Sequence, residues 1–176
     1  REGIREAGGD PVLEAALWRN LGFLYQAKGD FAPAAEAYVS ALGRMDSDTD
    51  TLLRARLHTR VGQITRRLGD PRRGEQHLSE AVNLYRKEGD EKSRIRALVA
   101  LSSVQSELES FSPSLKSLEE AAALCTSTGD VSGGALVLGQ MGIAYAAQDQ
   151  YTRALTHYEK ALAAHRELGN RKGEAA

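Results

Sequence analysis

The chain has 176 residues, 41% of them apolar, enough to bury a sizeable core, and its formal net charge of −1 gives no global reason to expect nucleic acid or a membrane surface as partner. The single cysteine, Cys125, excludes an internal disulfide framework, and no apolar run approaches the length that crosses a bilayer. These properties suit a reducing, cytoplasmic setting, and any argument from charge has to be local.

In chain order, residues Ile4 to Asp10 repeat the pattern of Leu84 to Asp90 and Leu124 to Asp130, so residues 1–10 are expected to close the second helix of a preceding repeat. Repeat 1 covers residues 11–50. Its first helix, Pro11 to about Lys28, carries Leu13, Leu17, Leu21, Leu24 and Tyr25 at helical spacing, with Asp10 as cap and Pro11 in the first turn, where a missing N–H costs nothing. Its second helix, about Phe31 to Met45, has Pro33 near its start, and Pro71 and Pro113 take nearly the same place further on. Repeat 2, residues 51–90, places Leu53, Leu57, Val61, Ile64 and Leu68 on its first helix and Leu78, Ala81, Val82 and Tyr85 on its second.

Repeat 3, residues 91–130, is the least regular: its turn at Glu109-Ser110 has no glycine, and Ser102 stands where the other repeats have Gly22, Gly62 and Gly142. Repeat 4, residues 131–170, has Tyr151, Leu155, Tyr158, Ala161 and Leu162 as the expected core side of its second helix, closed by Leu168-Gly169-Asn170. Residues 171–176 line up with the start of a further, truncated repeat. The period is 40 residues: turns fall at Gly29-Asp30, Gly69-Asp70, Glu109-Ser110 and Asp149-Gln150, and an alanine recurs at Ala41, Ala81, Ala121 and Ala161. A fixed period of that length means stacked copies of a helix pair, not one closed globule. Gly22, Gly62 and Gly142 share one helix position, where glycine costs about 1 kcal/mol against alanine, so another helix is expected to pass close by. Ser102 takes that position in repeat 3.

The ladder Trp18, Leu21, Gly22, Tyr25, Ala34, Tyr38, Ala41 resembles the tetratricopeptide repeat signature, and Leu138, Met141, Gly142, Tyr145, Ala154, Tyr158 and Ala161 hold the same places in repeat 4. The period exceeds the family's usual 34 residues and is similar to the longer-helix variety frequent in signalling adaptors and bacterial regulators. The expected fold is therefore an all-α, right-handed solenoid of stacked antiparallel helix pairs, with its aromatic residues Trp18, Tyr25, Tyr38, Tyr85, Tyr145, Tyr151 and Tyr158 belonging first to the core.

The resemblance implies that first helices line a concave groove. In repeat 2 that stripe is Arg56, Arg60, Gln63 and Arg67, opposite the apolar stripe of the same helix, with Arg66 one step aside. The equivalent stripes carry Asn20 and Phe23, flanked by Arg19, in repeat 1; Arg96 and Ser103 in repeat 3; and Gln140 and Ile143 in repeat 4. Residues 51–90 hold nine Arg/Lys against five Asp/Glu, while residues 11–50 hold three against six, so the positive field is local to repeat 2. Guanidinium groups bind carboxylates bidentately, which points to an acidic peptide as ligand. The alternative is a solvated helix face paired to Asp70, Glu75, Glu80 and Glu107. Asn20, Arg60, Ala100 and Gln140 do not reproduce the asparagine ladder of some family members, and Phe23, Arg60 and Ala100 depart from a terminal-carboxylate clamp that Arg19 and Arg96 could otherwise serve.

No catalytic constellation is legible. His58, His77, His157 and His165 lack zinc-ligand spacing, His58 standing where the ladder has Trp18 and reading as a packed core histidine. Cys125 reads as a structural thiol. Gly133-Gly134 has no lysine-serine pair after it, and Glu119-Glu120 reads as a solvated face. The expected function is therefore a non-enzymatic protein–protein interaction module without cofactor or metal. The alternative is a spacer, or a segment that self-associates through exposed ends of the array.

Overall fold

The computed structural model describes residues 10–46 and 50–174, with side chains to Gly169. The helix end expected within residues 1–9 lies outside them. Eight helices follow one another along the described residues: α1 Pro11–Lys28, α2 Phe31–Leu42, α3 Thr51–Arg67, α4 Pro71–Glu88, α5 Glu91–Glu107, α6 Phe111–Thr128, α7 Val131–Ala146 and α8 Tyr151–Glu174. No strand occurs among the described residues, and none of their helices is long and apolar enough to cross a membrane.

Local chemistry sets these boundaries. Asp10 Oδ1 accepts from the backbone N–H of Val12 and Leu13 at 2.9 and 3.2 Å, and Pro11 opens α1 behind it. Asp50, Asp70, Asp90 and Asp130 accept from Leu53, Arg73, Ser93 and Gly133 in the same way. Each satisfies an otherwise unpartnered helix N–H. Within each helix pair, the turn is made by one residue in the left-handed region: Gly29 at φ 85°, Gly69 at 84°, Glu109 at 56° and Asp149 at 57°. The missing glycine in the third turn thus leaves its geometry unchanged, and Glu109 takes the strained position.

The chain forms two compact units, Arg1–Gly89 and Asp90–Ala176. In the first, α1 pairs with α2, α3 pairs with α4, and α2 packs on α3. Its core joins Ala34, Ala35, Tyr38 and Ala41 of α2 to Leu57, Val61 and Ile64 of α3, with Trp18, Tyr25, Phe31, Leu42 and Leu53 packed around them. The recurring glycine marks a close crossing, as its position implied. A Cβ on Gly22 would stand 2.7 Å from the Tyr38 ring, and one on Gly62 would stand 2.7 Å from Leu78 Cγ and 3.0 Å from the carbonyl oxygen of Gly74.

In the second unit α5 pairs with α6, α7 with α8, and α6 packs on α7. Leu98, Leu101 and Val104 of α5, Leu118, Ala121 and Cys125 of α6, and Ala135, Val137, Met141 and Ala144 of α7 are buried. Gly142 meets the Tyr158 ring, 2.6 Å from where a Cβ would lie. At the serine variant of this crossing, Ser114 Oγ donates to the carbonyl of Ser102 at 2.9 Å and lies 2.9 Å from Ser106 Oγ. Buried hydroxyls there satisfy one another where the other pairs have carbon contacts.

Several expectations need correction. Among the described side chains of α8, Ala154 and Ala161 are buried, whereas Tyr151, Leu155 and Leu162 are 62, 62 and 54% exposed and so are not core, and Tyr158, 37% exposed, keeps its ring against Gly142. Their equivalents on α2 are covered by α3. At α1, Leu13 and Leu24 are exposed, as is Leu68 just past the end of α3. Tyr38 and Tyr85 are buried as expected, while Trp18, Tyr25 and Tyr145 are half-buried. The helix α2 stops at Leu42, three residues short of Met45, and α8 continues through Gly169 to Glu174.

Candidate partner-binding site

The stripe on α3 is positioned by its opposite face. Leu57, Val61 and Ile64 are buried against α2, so helical geometry leaves Arg56, Arg60, Gln63 and Arg67 exposed. Arg60 Nη1 donates to Gln26 Oε1 at 3.3 Å, and the same oxygen accepts from the Tyr38 hydroxyl at 3.0 Å. The Arg67 guanidinium sits 4.4 Å above the centroid of the Phe31 ring, a cation–π contact. Both arginines are thus leaned onto the preceding helix pair by contacts with neutral groups, and neither has an ion pair among the described residues. Arg66 is half-buried beside them.

On α1, Asn20 and Phe23 are exposed, Phe23 by 58%. Arg19 donates through Nε and Nη2 to Asn20 Oδ1 at 3.3 and 3.2 Å. The first unit therefore presents a strip of three arginines and one glutamine on α3, and an amide with an uncovered aromatic ring on α1. In the second unit Arg96 is exposed and donates to Ser93 Oγ at 3.2 Å. Ser103 turns its hydroxyl back to the carbonyl of Val99 at 3.1 Å. Gln140 is half-buried, and Ile143 is 50% exposed.

Two polar contacts escaped the reading of the sequence. His58 and His77 face each other across α3 and α4, Nδ1 to Nδ1 at 3.0 Å, so His58 is a half-buried hydrogen-bonding partner and not a plain core residue. Glu120 is bound by Arg94, which also holds Glu91 at 3.2 Å. It is therefore one end of an ion pair joining α5 to α6, not a solvated carboxylate. A 40-residue shift places His58 and His77 on the columns of Trp18 and Ala37, but nothing in the sequence says that those columns meet.

In the second unit a cleft of about 400 Å³ is lined by Cys125, Asp130, Gly134, Leu138 and Ala164 among others. Burial, and then the Asp130 carboxylate, push the Cys125 thiol up, away from the thiolate that a nucleophile requires. His157 stacks on Tyr145 with ring centroids 5.1 Å apart, and burial followed by the nearby Lys160 charge lowers its basicity. Among the described residues no three His, Cys, Asp or Glu side chains are grouped to hold a metal.

A sequence profile described as a tetratricopeptide repeat matches residues 135–168, which span most of α7 and α8, and the same small and apolar positions recur at the period of the whole chain. Residues 135–168 thus match one tetratricopeptide repeat. It is 27% identical over 141 residues to the regulatory protein RapG of Bacillus subtilis (strain 168), an alignment that takes in 79% of this chain and 39% of RapG. The apo form of RapI superposes with a TM-score of 0.84 at 15% identity, covering 96% of this chain and 47% of that one. The Rap conjugation gene regulator of plasmid pLS20, solved in complex with the Phr* peptide, superposes with a TM-score of 0.70 at 13% identity, covering 90% and 44%. The chain thus shares an all-α solenoid fold with these proteins and spans less than half the length of each.

Proposed function

We propose that this chain is a protein–protein interaction module that binds an acidic segment of another protein, with the Arg56, Arg60, Gln63 and Arg67 stripe of α3 as its principal contact. The observation that carries this reading is that the guanidinium groups of Arg60 and Arg67 rest on neutral neighbours, an amide and an aromatic ring. They remain free to receive carboxylates, each such charge-assisted bond being worth about 1.5–3 kcal/mol where water is excluded. Phe23 and Asn20 on α1 add an apolar anchor and an amide to the same unit. Arg96, Ser103, Gln140 and Ile143 are the corresponding positions of the second unit. A peptide held by a chain of the same fold, as in the pLS20 regulator complex, supports the class of ligand.

The test is fluorescence anisotropy with a panel of Asp/Glu-rich peptides and their Asn/Gln counterparts, on the native chain and on Arg56→Glu, Arg60→Glu, Arg67→Glu at matched helicity. Acidic peptides should bind the native chain in a salt-sensitive manner and should lose at least tenfold in affinity to the triple variant. Equal affinity for both chains would overturn the assignment.

A second reading, a spacer or self-associating segment, is favoured by the exposed Tyr151, Leu155 and Leu162 of α8. These occupy the register at which Phe31, Ala35 and Leu42 of α2 lie in the core with α3. Sedimentation across a concentration series decides it. Association that Leu155→Glu with Leu162→Glu abolishes would establish this reading, and an invariant monomer would remove it.

A further inference from the structure

We propose that His58 and His77 form an acid-sensitive latch between α3 and α4, closed while one ring donates and the other accepts, and opened when both rings are charged. The two side chains come from opposite helices of one pair and meet Nδ1 to Nδ1 at 3.0 Å, with ring centroids 5.1 Å apart and planes tilted by 42°. An N–H···N bond of this kind needs one nitrogen with a proton and one without. A first added proton still leaves a donor facing an acceptor. A second puts N–H against N–H and two positive charges a few ångströms apart in a half-buried site, and the contact must break.

The surroundings reinforce that outcome. The charged groups bearing on the pair are Arg54 on α3 and Arg73 on α4, both positive. Near it on the same two helices Thr59 Oγ1 donates to the carbonyl of Ala55 and lies 3.4 Å from the Tyr85 hydroxyl. The helix α2, which packs on α3, turns to it Ala34, Ala35, Tyr38 and Ala41, and the Tyr38 hydroxyl is tied to Gln26. Two nitrogens fall short of the three or four protein ligands of a zinc site, so the pair reads as a proton-sensitive contact and not a metal centre.

Burial first, then His77 and then Arg54, hold the His58 ring down to about 4, and burial followed by Arg73 lowers His77 as well. The folded values lie below the unfolded ones, so the stabilisation is complete above the ordinary histidine value of about 6.5 and is lost as pH falls toward the folded values. Within that window each affected ring raises the unfolding constant by up to about tenfold per pH unit.

The experiment compares the native chain with His58→Gln, His77→Gln, a pair that can still hydrogen-bond but cannot titrate. Urea unfolding is followed from pH 7.5 to 4.5, and the imidazole proton signals of the native chain are titrated by NMR. The unfolding constant of the native chain should rise at least about tenfold more than that of the variant over this range, and either His58 or His77, each assigned by the signal its own Gln variant loses, should stay neutral well below pH 6. Identical pH dependence in the two chains, or both His58 and His77 titrating near 6.5, would overturn the latch. If the variant does not fold, the native imidazole titration decides alone.

Discussion

At Gly62 the packing leaves no room for a single methyl group. An added Cβ meets both a leucine branch and a backbone carbonyl, and the carbonyl belongs to a helix that cannot move without parting from its own core. Overpacking of this kind costs about 1–3 kcal/mol, against which alanine regains up to about 1 kcal/mol of helix propensity. Gly62→Ala should therefore destabilise the chain by roughly 1–2 kcal/mol in urea unfolding. Gly139, on α7 with nothing within 4 Å of where a methyl group would stand, is the counter-case, and Gly139→Ala should stabilise by up to about 1 kcal/mol. Glu109 gives the converse argument. It holds the left-handed turn position at φ 56°, where a side chain costs about 1–2 kcal/mol. Glu109→Gly should raise the melting temperature, and a fall would show that the turn is not strained.

Between helices, the junction of α5 and α6 depends on Arg94, whose side chain is only 12% exposed while it holds both Glu91 and Glu120. Removing one partner of a fully buried pair costs about 3–5 kcal/mol. Glu120 is a third exposed here, so solvent screening reduces that figure. Arg94→Met should cost roughly 1–3 kcal/mol in thermal unfolding, and loss of less than a few tenths would place the pair among ordinary surface bridges. This contact also shows what the sequence withholds. The helix starts, the turns and the tight crossings at Gly22, Gly62 and Gly142 are legible, because each is fixed by neighbours within one helix pair, whereas the ends of α2 and α8 are not. The Arg94–Glu120 pair and the His58–His77 contact depend on which side chains meet across helices, and a spacing argument along one helix cannot give that. For the candidate site, spacing alone placed Arg56, Arg60 and Arg67 on one exposed face. It did not foresee that Gln26 and Phe31 would be their neighbours. The exposure of Tyr151, Leu155 and Leu162 was missed for a related reason, since periodicity shows that a face is apolar and not whether another helix covers it.

For the molecule as a whole, stability in a repeat array is approximately a sum of terms within each helix pair and between adjacent pairs. Leu78, on α4, is 1% exposed and lies against Gly62 of α3. Truncating it removes contacts inside one pair and leaves a cavity, at a cost of about 2–5 kcal/mol. In an array that cost should appear as local opening before it appears as global unfolding. Leu78→Ala should therefore speed amide hydrogen exchange throughout α3 and α4, by about tenfold or more, with a smaller increase in α2, which packs on α3. Exchange in α7 and α8, which belong to the second unit, should stay within about twofold of the native chain. A uniform increase along the whole chain would mean that it unfolds as one cooperative block, and the nearest-neighbour description of this array would then be wrong. The same local behaviour is what allows an acid-sensitive contact in one helix pair to open without unfolding the rest.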